Sequence, residues 1–276
     1  MTSSKVALVT GASSGIGEAA AHGLLKQGFE VYVAARRVER MADLGAAGAH
    51  VVSLDVTDEA SMVACIEQIK SEQGRLDVLV NNAGYGSYGA LEDVPIDEAR
   101  RQFEVNIFGL ARLTQLALPM MREQRSGRII NISSVGARLY EPFGSWYHAT
   151  KYAVEGLSNS LRIELAPFGI GVTIVAPAGV MTEWNTIARD SLLERSGNGA
   201  YAKLAKRAYK VLENFDKPAA STTADVVGKA IVKAATSRRA KTVVPVGKGA
   251  RLVRTSVDLL PPRAFDLTVK AVFGSK

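Results

Sequence analysis

Seven short apolar runs rich in β-branched residues recur along the chain: VALVT from 6, VYVAA from 31, VVSL from 51, DVLVNNA from 77, RIINIS from 128, GVTIVAP from 171 and KTVVPV from 241. Longer helical patterns separate them, at 15–27, 59–73, 97–124, 147–166 and 223–237. Strands that alternate with helices need crossovers, and right-handed crossovers build a parallel sheet covered on both faces. The order of elements therefore predicts one α/β domain over 1–276, a doubly wound parallel seven-stranded sheet with helices on both faces. With 276 residues, 47% of them apolar, the chain has material for a single core of this kind. No internal repeat or low-complexity linker divides it. The stretch 183–220 is a long insertion between the sixth and seventh runs, and insertions at the carboxyl ends of strands commonly form lids. Its SGNG tract at 196–199 reads as a flexible hinge.

The first run leads into TGASSGIG, with glycines at 11, 15 and 17 opening a helix. Glycine permits positive φ in the turn, close approach of backbone amides to a pyrophosphate, and tight packing of helix on strand. Phosphates would then face a helix N-terminus, whose free N–H groups favour anions. The same letters also spell a nucleophile elbow, G-x-S-x-G, through Gly11, Ser13 and Gly15. A serine hydrolase would need a histidine and an acid later in the chain, and only His22, His50 and His148 are available. His22 lies in the helix that the loop opens, His50 precedes a strand, and His148 has no evident acid to orient it. Dinucleotide binding is the stronger reading of the loop.

The end of the second run selects the dinucleotide. An NAD site usually places an acid there to accept from the ribose 2′-hydroxyl. Here the run ends Ala35, Arg36, Arg37, and guanidinium forks suit a 2′-phosphate. NADP(H) is favoured over NAD(H). Farther along, YHATK places Tyr147 and Lys151 four residues apart, on one face of a helix. That pairing suits a phenolic acid with a cation to tune it, since an ammonium favours the phenolate.

Taken in order, TGASSGIG at 10–17, NNAG at 81–84, INISS ending at 134 and YHATK at 147–151 resemble the short-chain dehydrogenase/reductase family over nearly the whole chain, which implies a Rossmann fold. The ARR segment and long C-terminal region look most like its 17β-hydroxysteroid-dehydrogenase-like branch. The resemblance implies Tyr147 as general acid/base, Ser134 as the group that orients and polarises the substrate carbonyl, Lys151 as the residue that lowers the tyrosine pKa and binds the nicotinamide ribose, and Asn106 as part of a proton relay. Ser134 rather than Ser133 has the family spacing of thirteen residues before the tyrosine, and strand neighbours point to opposite faces. Cofactor contacts are implied for Gly11, Ser13, Ser14, Gly15, Ile16, Gly17, Arg36, Arg37, Asp55, Val56, Asn82, Ala83, Gly84, Tyr147, Lys151, Pro177, Gly179, Val180 and Thr182. For Asp55 a helix cap is an alternative. Ala178 stands where the family more often has glycine. No metal is assigned.

These readings converge on an NADP(H)-dependent oxidoreductase that interconverts a ketone or aldehyde and an alcohol. A β-ketoacyl thioester reductase and a non-catalytic NADP(H)-binding sensor are the alternatives. The substrate pocket would draw on 183–220 and on the loops containing YGSYGALEDV and ARLYEPFG. Helices near 97–124 and 147–166 resemble the family's dimer interface, so a homo-oligomer is expected.

Charge and composition bound the partners. From Arg189 to Lys276 there are 18 Lys and Arg against 7 Asp and Glu, a net +11 within a chain total of +7, leaving −4 for the rest. The tail, 248–276, mixes cations with apolar residues, which suits packing on the protein's own surface better than an anionic membrane. The basic residues lack the aromatic interleaving of a nucleic-acid module. The start runs directly into a strand pattern with no charged leader and apolar signal core, and no apolar run nears the ~18 residues a bilayer span requires. A cytoplasmic protein is expected. Cys65, the sole cysteine, falls on the apolar side of its helix, so burial is its expected state.

Overall fold

A computed structural model describes residues 4–274; the first three residues and the last two of the basic tail lie outside the described residues. The strands are β1 (Val6–Thr10), β2 (Glu30–Ala35), β3 (His50–Ser53), β4 (Val78–Asn81), β5 (Gly127–Ile132), β6 (Ile170–Pro177), β7 (Val180–Met181), β8 (Thr222–Thr223) and β9 (Val243–Val246). Between and after them lie α1 (Gly15–Leu25), α2 (Ala42–Ala46), α3 (Glu59–Gln73), α4 (Ile96–Phe103), α5 (Leu110–Glu123), α6 (Ser145–Leu165), α7 (Glu183–Ser196), α8 (Ala202–Glu213), α9 (Ala224–Thr236), α10 (Ala250–Leu259) and α11 (Pro262–Phe273). Seven strands form one parallel sheet in the order β3-β2-β1-β4-β5-β6-β9. The fold is thus the single-domain doubly wound Rossmann sandwich that the alternation predicts.

Both faces of the sheet are apolar because both are covered. On β1, Ala7 and Val9 pack with Ala20, Ala21 and Leu24 of α1 and with Val227 and Ile231 of α9. Val6 and Leu8 point the other way, among Met62, Cys65 and Ile69 of α3 and Leu113 and Met121 of α5. Cys65 is buried there, and burial pushes its thiol up to about 12, far from thiolate reactivity.

Three features depart from the simple periodic reading. The helical run at 97–124 is interrupted by a π-helical stretch, Glu104–Gly109, between α4 and α5. Hydrophobic periodicity does not mark this, since a π turn shifts the register within one continuous helix. A separate two-stranded pair joins β7 to β8, each two residues long and too short to carry a pattern. Lastly, the basic tail folds into α10 and α11 and docks on the domain. Arg254 of α10 forms a buried ion pair with Glu155 of α6 at 2.5 and 3.0 Å, and Tyr140 hydroxyl donates to Asp266 of α11 at 2.8 Å. No helix among the described residues is long and apolar enough to cross a membrane.

Candidate active site

Strand order reverses between β1 and β4, and the crevice at their carboxyl ends is where ligands bind in open α/β sheets. Here the glycine loop and the NNAG turn interlock. Asn82 Nδ2 donates to the carbonyls of Thr10 (2.9 Å) and Gly11 (3.2 Å), while Thr10 Oγ1 accepts from the amides of Asn82 and Ala83, each at 3.0 Å. Gly11 has φ +64°, and a Cβ there would sit 2.9 Å from Ala83 Cα. A Cβ on Gly17 would meet the Gly11 carbonyl at 2.4 Å. Ser14 caps α1 without a side-chain bond to its first turn. The backbone can therefore approach a ligand closely, and the leading amides of α1 can meet anionic oxygens. This cradle fits a dinucleotide pyrophosphate.

From the cradle a cavity of about 600 Å³ runs to α6. Its wall includes Gly11, Ser13, Ser14, Gly15 and Ile16, then Arg36, Arg37, Asp55 and Val56, then Asn82, Ala83 and Gly84. Ser134, Tyr147 and Lys151 line it as well, followed by Pro177, Ala178, Gly179, Val180 and Thr182. Two sequence candidates stay behind the wall. Gly17 is buried under the Gly11 carbonyl. Asn106 is buried in the π stretch, where its Oδ1 accepts from Tyr85 N at 3.1 Å and its Nδ2 donates to Tyr85 O (3.0 Å) and Thr150 Oγ1 (3.1 Å). It braces the loop after β4 against α6. Asn81 ties strands together by donating to Asn131 Oδ1 at 2.9 Å.

The sequence pairs Tyr147 with Lys151, and the fold brings both to the wall of one cavity with Ser134. Burial pushes the Tyr147 phenol up to about 12, against a lowering interaction from the Ser134 hydroxyl, with the negative charge of Glu141 adding to the rise. Desolvation dominates, and it also holds Lys151 down to about 8. The lysine Nζ lies 5.9 Å from the tyrosine ring centroid and donates to Ile132 O at 2.9 Å. Ser133 also borders the cavity, but its hydroxyl is taken up by Glu155, to which it donates at 3.2 Å. Asp55 is held below the usual carboxylate range: burial acts to raise it, but hydrogen bonds from the Thr57 amide and hydroxyl and the charge of Arg36 prevail. Its carboxylate thereby organises the turn after β3.

Beyond Tyr147 the wall is formed by the loops and helices expected of the substrate end: Tyr85 and Tyr88 after β4, Leu139 and Glu141 before α6, and Trp184, Ile187, Leu212 and Phe215 from the 183–220 insertion. Trp184 lies against the Tyr147 ring with centroids 4.9 Å apart. Four participants escape the sequence reading. Lys248 and Val253 of the tail line the cavity. Arg40 forms a paired contact with Glu183 at 2.9 and 3.0 Å, which holds the start of α7 against the loop after β2. Ser196, first residue of the SGNG tract, is buried and bonded to Ala90 N (2.9 Å) and Asp93 (2.6 Å), so this end of α7 is anchored. Charge patterning around an insertion carries none of this, since the partners come from distant loops.

His148 answers the hydrolase alternative. Its Nδ1 lies 2.9 Å from Gly136 O, and Nε2 is 3.3 Å from the Glu141 amide, so both ring nitrogens are taken up by backbone. It holds the loop before α6 and has no free nitrogen for a serine.

Residues 5–192 match the short chain dehydrogenase family. A 3-ketodihydrosphingosine reductase of Bacteroides thetaiotaomicron is 41% identical over 216 residues, covering 77% of each chain. Among solved structures, a short-chain dehydrogenase from Streptomyces avermitilis aligns over 100% of both chains with 35% identity and a TM-score of 0.81. A metagenomic short-chain oxidoreductase in complex with NADP covers 87% of this chain and 95% of its own (27% identity, TM-score 0.68). A Burkholderia phymatum member in complex with NAD covers 97% and 95% (27% identity, TM-score 0.79). The interlocked glycine cradle, the sheet order and these relatives lead to one assignment: the chain is an oxidoreductase of the short-chain dehydrogenase/reductase family.

Proposed function

We propose that the protein is an NADP(H)-dependent oxidoreductase that interconverts a ketone or aldehyde and the corresponding alcohol, with Tyr147 as general acid/base. The observation that carries the reading is the meeting of the Ser134 hydroxyl and the Tyr147 phenol on one cavity floor, with the Lys151 ammonium alongside. The glycine cradle supports a dinucleotide, and Arg36 and Arg37 on its wall support the 2′-phosphate form. The ARR segment and the C-terminal helices support the 17β-hydroxysteroid-dehydrogenase-like branch, and the relative that reduces 3-ketodihydrosphingosine supports a ketone as the reacting group.

When bound, the nicotinamide supplies a hydride, two electrons and a proton's mass, to the carbonyl carbon and is itself oxidised. The residues of this chain supply the rest. Ser134 donates a hydrogen bond to the carbonyl oxygen as negative charge develops on it. Tyr147 transfers its phenolic proton to that oxygen, completing the alcohol. Its raised pKa keeps the proton in place until then. Lys151, anchored on Ile132 O, offers an ammonium that favours the phenolate left behind and would hold the nicotinamide ribose. Trp184 and Tyr88 shield the floor from water. The deciding experiment is a panel of ketones, aldehydes and ketoacyl thioesters followed by nicotinamide absorbance with each cofactor. Turnover of ketones with NADPH, lost in Tyr147→Phe, is the expected result. Wild-type kcat in that variant overturns the reading.

A further inference from the structure

The cavity wall carries charges of both signs. Arg36, Arg37 and Arg101 stand at the end reached from β2, whereas the end built around Tyr147 carries the carboxylate of Glu141. Glu141 Oε1 accepts from the Tyr88 hydroxyl at 2.8 Å. Among the described residues no donor meets its Oε2, and no cation pairs with it. The carboxylate of Glu183 on the same wall is paired with Arg40, and the Lys248 ammonium bonds to the carbonyls of Pro218 and Ala219. A half-buried carboxylate without a counter-charge is costly in an apolar wall.

Three rings cluster on the same wall, one of them bonded to Glu141 through its hydroxyl. Tyr88 and Tyr147 lie 6.0 Å apart, Tyr147 and Trp184 4.9 Å, and Tyr88 and Trp184 6.1 Å at nearly a right angle. Aromatic faces are electron-rich, and rings grouped with a carboxylate form the surroundings in which organic cations are held. Beyond them Leu139, Leu212 and Phe215 offer an apolar wall. We infer that the site selects carbonyl substrates that carry an organic cation, an ammonium or quaternary ammonium, close to the reacting carbonyl, with an apolar chain beyond it. The inference rests on the reading of Tyr147 and Ser134 as the groups that meet the carbonyl. The same carboxylate adds to the rise that burial imposes on the phenol, so a substrate cation would offset its charge as the proton leaves.

The test uses three ketones of equal chain length with full-length protein and NADPH: one with a trimethylammonium group beside the carbonyl, its uncharged tert-butyl isostere, and a carboxylate analogue. The expected order of kcat/KM is cationic, neutral, anionic, with cationic over neutral by at least about tenfold, the size of a desolvated cation–π contact. In Glu141→Gln the cationic-to-neutral ratio should fall to near one, and in Glu141→Asp, which keeps the charge, a preference should persist. Equal values for cationic and neutral ketones in the wild type, or a preference that survives Glu141→Gln, overturn the inference. A second arm separates it from the reductase reading: saturation-transfer NMR with tetramethylammonium and with tert-butanol. Binding of tetramethylammonium alone, lost in Glu141→Gln, supports the cation site even where no ketone turns over. Ketone turnover with no cation preference removes this inference and leaves the reductase reading standing.

Discussion

Tyr147 and Lys151 enter the cavity with their titrations driven apart by burial, the phenol up to about 12 and the ammonium down to about 8. The signs give a pH profile. Below about 8 Lys151 is charged and Tyr147 holds its proton, which is the state that ketone reduction uses. As pH rises past about 8 the ammonium is lost, so reduction should decline on the alkaline side with an inflection near that value. A profile flat from neutrality to well above it would exclude Lys151 from the chemistry. Tyr147→Phe should lower kcat by roughly 10²–10⁴, the usual contribution of general acid catalysis, while NADPH binding is largely kept. Ser134→Ala should also be severe. Ser133→Ala should be mild in turnover, because that hydroxyl faces Glu155; the reverse ranking of the two serines would show that the wrong one was assigned.

At the scale of elements, the parallel sheet was legible because each buried strand is a continuous apolar run and each helix between them is amphipathic. The glycine cradle was legible for a related reason, since Gly11 and Gly17 occupy places that no Cβ can share. Asn106 shows where the reading stops. Its position was plain from FEVNIFG, but the π turn that buries it and directs its amide to Tyr85 and Thr150 depends on packing against α6. The substrate end was legible as a set of loops and not as a set of contacts. Neither Arg40 with Glu183 nor Ser196 with Asp93 lies within the reach of a periodic pattern. For the loop after β2, replacing both Arg36 and Arg37 with alanine should weaken NADPH roughly tenfold or more relative to NADH, as loss of charge-assisted contacts to a 2′-phosphate requires. Equal losses for both cofactors, measured by titration, would assign these arginines to the fold. For α7, Arg40 and Glu183 are exposed, so their pair is weak and screened by salt, whereas the Ser196 end is fixed. Hydrogen exchange should therefore be fast at 183–188 and slow near 196, with the fast end protected when cofactor and substrate bind. Uniform protection along α7 without ligands would rule out its action as a lid.

The whole molecule is held together across its sheet by the core and along its length by the tail. Phe108 on the π stretch and Ile163 on α6 are 55% and 72% exposed, and we propose the helices that carry them as the face of a copy-to-copy interface. Phe108→Arg should shift the wild-type species toward monomer in sedimentation velocity, and an unchanged distribution would place any interface elsewhere. The tail has a different role. Arg254 and Glu155 are both buried, so Arg254→Met leaves the carboxylate with only the more exposed Arg138 and the Ser133 hydroxyl, and should cost up to about 3–5 kcal/mol in denaturant unfolding. A loss below ~1 kcal/mol would mean that water or Arg138 takes over the pairing. Synthesis runs from the amino terminus, so the ribosome delivers Glu155 almost a hundred residues before its partner. Throughout that interval the acid stays hydrated, and the helix that presents Tyr147 lacks its final clamp. Completion of the pocket is therefore tied to the end of translation: a nascent chain that stalls short of α10 can form most of the sheet yet leaves its site unlocked.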